Sequence, residues 1–221
     1  MIKLITKILL FSSLIFLQNI LFASQPKDSV YLEGENSYTV ILIHGKGKHP
    51  RWKVVEPLRI NINKELKYHT LSLQMPNKRK EFKEYAKDFP KAYSIINEAI
   101  NYLRNEKKIK KIYLIGHSMG SRMAGAFVAN NKNDLKGLVV LGCRNTGKTP
   151  LSCINNIKNL ELPLLDIWGG DNSKDKESAK SRKYLVGENY TQVEIYKANH
   201  RFKNKETELT QTVINWLKKN N

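Results

Sequence analysis

The segment Gly116-His117-Ser118-Met119-Gly120 has the spacing G-x-S-x-G, with an apolar run over Ile112–Ile115 before it and small, helix-compatible residues after it. A serine in a sharp strand-to-helix turn is held in a strained backbone conformation, and glycines two positions to either side let neighbouring backbone pass without collision. The chemistry served by that arrangement is nucleophilic attack by Ser118. The competing reading is a serine that only caps a helix, and the flanking strand-like and helix-like residues favour the nucleophile.

A serine alcohol is a weak nucleophile and needs a base, most often histidine, oriented in turn by a carboxylate. Of the five histidines, His117 adjoins the serine and should point elsewhere, His44 and His49 flank an earlier loop, and His69 begins a strand. His200, in Ala-Asn-His-Arg-Phe just after the last strand, is placed to come over the turn from a loop. The chain order serine, acid, histidine directs attention to Leu-Pro-Leu-Leu-Asp-Ile-Trp-Gly-Gly-Asp-Asn-Ser-Lys-Asp. Asp166 lies inside that strand and suits a structural pairing. Asp171 follows the glycine pair at the strand end and is the chosen acid, with Asp175 as the alternative. The oxyanion of a tetrahedral intermediate also needs donors. The backbone N–H of Met119 is one, and the backbone N–H of Lys46, in the His-Gly-Lys-Gly-Lys loop after the first long strand, is the other. That loop lacks the Walker spacing of a phosphate cradle.

Alternating elements must position these groups. Tyr38–Gly45 is a short β-branched run ended by glycine, as expected of a strand buried on both faces. Helix-like spacing over residues 52–68 leads to a strand from His69, and an amphipathic helix over residues 87–107 leads to the strand before Ser118. Strands follow at Leu135–Gly142, Leu162–Gly169 and Thr191–Ala198, with a helix expected over Ser178–Val186. Leu209, Val213, Trp216 and Leu217 form the apolar stripe of a last helix. This alternation predicts an α/β fold with a mostly parallel sheet of about six to eight strands covered by helices on both faces.

With 221 residues, 41% of them hydrophobic, the chain suits one domain. Residues 1–24, with Lys3 and Lys7 before an apolar stretch that ends at Ala23 and Ser24, read as a signal peptide ahead of a single domain over 25–221. An uncleaved membrane anchor is the alternative. The expected location is therefore the periplasm or the outside of the cell. Removing the leader takes two lysines and no acids from a formal charge of +18, which leaves about +16. The lysines are mixed with glutamates and aromatics, and no specific nucleic-acid motif appears. They suit a solvated surface or electrostatic contact with an anionic envelope surface. Cys143 and Cys153 are too few and wrongly spaced for zinc or a redox CxxC. In an exported chain they can form a disulfide across a short loop, with two free thiols as the alternative.

The segments Val-Ile-Leu-Ile-His-Gly-Lys-Gly, Leu-Ile-Gly-His-Ser-Met-Gly-Ser, Pro-Leu-Leu-Asp-Ile-Trp-Gly-Gly-Asp and Ala-Asn-His-Arg-Phe, in that order, resemble the α/β-hydrolase superfamily. The likeness covers nearly all of the chain after the leader and is greatest to small exported bacterial α/β-hydrolase-like proteins of unassigned function. The resemblance implies Ser118 as nucleophile, His200 as base, Asp171 as acid, and Lys46 and Met119 as amide donors. In the family the acid often stands three residues after the strand-end glycine, whereas Asp171 stands two after Gly169. Only about 20 residues separate Gly142 from the acid-bearing strand, the length of a loop with a short helix, so no large cap domain is expected. The function expected is an exported serine hydrolase, carboxylesterase-like, cleaving a small-molecule ester or thioester through an acyl-enzyme. No metal or organic cofactor is implied. The alternatives are a non-catalytic envelope binding protein on the same fold and an acyltransferase with the same triad. Oligomeric state is not legible in the sequence.

Overall fold

The computed structural model describes residues 23–131 and 134–221. The expected leader lies outside the described residues except for Ala23 and Ser24. Seven strands form one sheet: β1 (Val30–Leu32), β2 (Tyr38–Ile43), β3 (His69–Leu73), β4 (Lys111–His117), β5 (Leu135–Leu141), β6 (Leu164–Gly169) and β7 (Tyr190–Ile195), in the spatial order β1-β3-β2-β4-β5-β6-β7. β1 pairs antiparallel with β3, and every other pairing is parallel. Between strands run helices α1 (Val55–Leu66), α2 (Phe89–Asn101), α3 (Met119–Asn130), α4 (Cys153–Ile157) and α5 (Ser173–Lys180), and α6 (Glu206–Lys219) closes the chain.

The apolar strands are continuous runs because both faces of the sheet are covered. On one face Ile41, Ile43, Ile112 and Leu114 pack under α2, α3 and α4. On the other, Val40, Leu42, Tyr113 and Ile115 pack against α1 and α6, whose Leu209, Val213, Trp216 and Leu217 are all buried as the stripe predicts. Pro57 sits in the first turn of α1, where its missing N–H removes no helical bond.

The chain leaves β2 toward α1 on one face and leaves the adjacent β4 toward α3 on the other. That divergence opens a crevice beyond the carboxyl ends of the strands, where parallel α/β sheets place their ligands. The loops carrying Lys46 and Ser118 border it.

Two elements differ from expectation. β1 is a three-residue edge strand, too short to show periodicity. The helix expected over Ser178–Val186 begins five residues earlier, at Ser173, and ends at Lys180, with a separate 3-10 turn at Lys183–Leu185. The Asn172 side chain caps α5 by accepting from the Asp175 N–H at 3.0 Å, which sets the earlier start.

Between β5 and β6 there is a loop, the five-residue α4 and a second loop, with no cap domain. Cys143 and Cys153 are joined, their Cα atoms 5.8 Å apart. Closing this short loop in the unfolded chain should stabilise the fold by roughly 3 kcal/mol. The Cys143→Ala/Cys153→Ala double variant is therefore expected to melt roughly 6–12 °C lower; thermal melts of the variant and of the oxidised parent check this, and equal melting temperatures would show that the link constrains little.

Candidate active site

Ser118 has φ 57° and ψ −112°, between the last residue of β4 and the first of α3. A non-glycine residue there carries strain of about 1–3 kcal/mol. Both neighbouring glycines are required by close approach: a Cβ on Gly116 would lie 2.5 Å from the Gly120 carbonyl oxygen, and one on Gly120 would lie 2.4 Å from that of Ile43. The Ser118 N–H donates to the Leu141 carbonyl at 2.8 Å, which ties the turn to β5. The Ser121 hydroxyl lies 2.6 Å from the Gly116 carbonyl and 2.9 Å from that of Leu141. The turn is thus held on two sides while Ser118 itself stays partly exposed.

His200 comes over this turn from the loop after β7. Its Nε2 lies 2.9 Å from Ser118 Oγ, and its Nδ1 lies 2.6 Å from Asp175 Oδ2. A carboxylate can only accept, so Nδ1 carries the proton and Nε2 is free to accept from the serine hydroxyl. Gly142, at φ +58°, makes room for the pair, since a Cβ there would stand 2.9 Å from His200 Nδ1.

The acid beside His200 is Asp175, and the choice of Asp171 is corrected. Asp171 is exposed, and its N–H is bonded to the Ala198 carbonyl at 3.0 Å within the turn that ends β6. That turn faces its side chain to solvent. Asp175, in the first turn of the capped α5, has a fully buried side chain. Burial opposes its charge, but the hydrogen bond and charge of His200, then those of Arg144 at 2.6 Å, hold the carboxyl below its ordinary range. Asp166 is in a structural pairing, as expected: Arg182, itself wholly buried, makes a bidentate contact with it at 2.8 and 3.0 Å, and the Tyr190 hydroxyl donates to it at 2.6 Å.

Two buried histidines hold the frame. His117 points away from the serine, and its Nε2 donates to the His200 carbonyl at 2.9 Å. Burial first, and then the nearby His200, lower its pKa to about 3, so it is neutral at any ordinary pH. His44 accepts from the Met75 N–H on Nε2 at 3.0 Å, which leaves Nδ1 to donate to the Gly45 carbonyl at 2.9 Å. Burial lowers its pKa to about 4. Because the carbonyl of Gly45 and the N–H of Lys46 belong to one trans peptide, they point in opposite directions. Holding the carbonyl therefore turns the Lys46 N–H outward. Neither that N–H nor the N–H of Met119 is used in a backbone bond among the described residues. A Cβ on Gly45 would stand 3.2 Å from the Ser118 Cβ, so this loop lies against the elbow. The role of His44 as a positioning residue was not read from the sequence, where only its adjacency to Gly45 hints at it.

Ser118, Lys46 and Met119 line a cavity of about 350 Å³, together with Phe82, Arg122 and Arg144. A larger open groove of about 990 Å³, between residues 26–28, 74–79 and α2, does not reach Ser118 or His200. Ser118, which carries the reactive oxygen, lines the smaller cavity.

A family model described as Protein of unknown function (DUF3530) matches residues 83–219, a stretch that holds Ser118, Asp175 and His200. Comparison with curated proteins finds no match. Among solved structures, Est1E from Butyrivibrio proteoclasticus, determined with bound ferulic acid, aligns over 87% of this chain and 94% of its own at 16% identity, with TM-score 0.72. A dienelactone hydrolase from Anabaena variabilis aligns over 87% and 91% at 17% identity, TM-score 0.70. A serine hydrolase without lid from Xanthomonas campestris aligns over 86% and 88% at 14% identity, TM-score 0.68. The fold is that of the α/β hydrolases.

Proposed function

The chain belongs to the DUF3530 family, whose description names no activity, and we propose from the geometry of its own residues that it is a serine hydrolase cleaving an ester or thioester. The observation that carries this reading is the unbroken relay from Ser118 Oγ through the His200 ring to Asp175, with the serine on a strained elbow. A binding module has no use for that strain or for a buried carboxylate behind a histidine. The reading is also supported by the similarity to folds that carry esterases and lipases.

In the proposed reaction Ser118 Oγ attacks the substrate carbonyl carbon as its proton passes to His200 Nε2. The carbonyl oxygen becomes an oxyanion held by the N–H groups of Lys46 and Met119. Collapse breaks the bond to the leaving alkoxide or thiolate, which takes the proton from Nε2. Water then gives a proton to Nε2 and attacks the acyl-enzyme, the acid product leaves, and Ser118 recovers its proton. Asp175 holds the tautomer and stabilises the imidazolium formed in between. Export through the expected leader fits the Cys143–Cys153 link, since such links persist in oxidising compartments.

Treating the purified protein with a fluorophosphonate probe tests the reading. One covalent adduct per chain is expected, absent in Ser118→Ala. A folded parent that stays unlabelled would overturn the reading in favour of a binding protein.

A further inference from the structure

We propose that the ester taken by this site carries an anionic group, a carboxylate or a phosphate, that docks on Arg122 in the cavity beside Ser118; the inference rests on the hydrolase reading. Four cationic residues, Lys46, Arg122, Arg144 and Lys174, line the cavity, and no acidic residue does. Arg144 is neutralised by Asp175, at 2.6 Å. Asp175 is then fully engaged, since its other oxygen accepts from His200.

Arg122 has no such partner. It stands four residues after Ser118 on α3, on the same helical face, and is only 4% exposed. Its guanidinium donates to the carbonyls of Thr146 and Leu151 at 2.8 and 2.7 Å and to the Thr146 hydroxyl at 2.9 Å. The Phe82 ring covers it at 4.7 Å. Among the described residues no carboxylate lies within ion-pair distance of it. Carbonyl dipoles orient a guanidinium without neutralising it, and a buried charge with no direct ion-pair partner is costly. Burial first, and then the nearby Arg144 and Arg182, lower its pKa to about 10 against a smaller opposing pull from Asp175, so it stays charged at neutral pH. A leucine or methionine would fill the same space without that cost. An anion entering the cavity supplies the missing counter-charge, and the planar fork of arginine suits the two oxygens of a carboxylate or phosphate.

The general basicity of the chain does not account for this. Excess lysine on a solvated surface costs little, whereas Arg122 is interior. Lys46, which also lines the cavity and whose Nζ donates to the Lys80 carbonyl at 2.6 Å, adds to the same field.

The test compares kcat/KM for matched esters in the full protein. Mono-para-nitrophenyl succinate against para-nitrophenyl butyrate places a carboxylate in the acyl part. Para-acetoxybenzoate against its methyl ester places it in the leaving part, and para-acetoxyphenyl phosphate against para-methoxyphenyl acetate puts a phosphate there. At least one anionic ester should be preferred by about tenfold or more, and Arg122→Gln should bring that ratio to near one while the remote Lys218→Gln leaves it unchanged. Because Arg122 also braces the Thr146 loop, competition by inorganic phosphate and by succinate against the neutral esters is measured in the parent, with chloride at equal ionic strength as control. Competition by either supports the docking site. A parent labelled by fluorophosphonate that neither prefers an anionic ester nor is inhibited by these anions overturns the proposal and leaves the hydrolase reading standing. A parent that is not labelled removes the hydrolase reading and this proposal with it.

Discussion

Replacing Asp175 by asparagine is expected to lower kcat about 10³- to 10⁴-fold, while Asp171→Asn should stay within about threefold of the parent. The reason lies in how an amide would seat between two donors. Arg144 Nε donates to Oδ1 of Asp175 at 2.6 Å, and an asparagine would keep its carbonyl oxygen there. Its NH₂ group would then face His200 Nδ1. A donor against Nδ1 forces that nitrogen to accept, so the ring proton moves to Nε2, and Nε2 can no longer take the proton of Ser118. The side-chain volume and the Asn172 cap on the backbone of α5 are unchanged, so the fold should survive. Steady-state turnover of an activated ester, with a thermal melt of each variant, decides the matter. Loss in Asp171→Asn with Asp175→Asn near the parent would put the acid back at Asp171.

That pair of variants also marks where sequence reasoning stopped. Ser118 and His200 were legible because their signals are local: two glycines that close approach of backbone demands, and a histidine in the loop after the last strand. The acid depended on where α5 begins, and a charged, weakly apolar stretch gives little periodicity from which to place that start. A helix expected only from Ser178 leaves residues 170–177 without an element and makes the first aspartate after the glycines look available. The better signal was the pair Asn172 and Asp175, a capping residue followed three positions later by an acid in the first helical turn. The short edge strand at Val30–Leu32 was missed for a different reason. Three half-buried residues gain their stability from pairing with β3 rather than from any pattern of their own. The unpaired state of Arg122 was equally hidden, since a sequence records a charge but not the absence of its partner.

Mild acid is expected to destabilise this protein strongly through two buried histidines. His44 and His117 are neutral in the fold, with pKa about 4 and about 3, and both return to about 6.5 in the unfolded chain. For groups whose folded pKa is lowered in this direction, the unfolded state binds more protons between the two values. The stabilisation is complete above about pH 6.5 and is lost as pH falls toward 4. Each histidine contributes a slope of about 1.4 kcal/mol per pH unit, so the two together remove roughly 5 kcal/mol between pH 6.5 and 4.5. His69 is lowered by burial as well and acts in the same sense. Asp175, held below its ordinary range, adds its own loss only at still lower pH. A loss of that size is comparable with the whole stability of many domains. Urea titrations at several pH values from 7.5 to 4.5 should give a slope of about two protons or slightly more. His44→Gln and His117→Gln should each remove about one proton from it, and a slope unmoved by both substitutions would refute the assignment. The same neutrality matters at the site. The His117 ring lies 5.2 Å from that of His200, and a second positive charge there would oppose the imidazolium that the proposed reaction must form. Keeping His117 uncharged lets it hold the His200 carbonyl without that repulsion, and the acid sensitivity of the fold follows from the same burial.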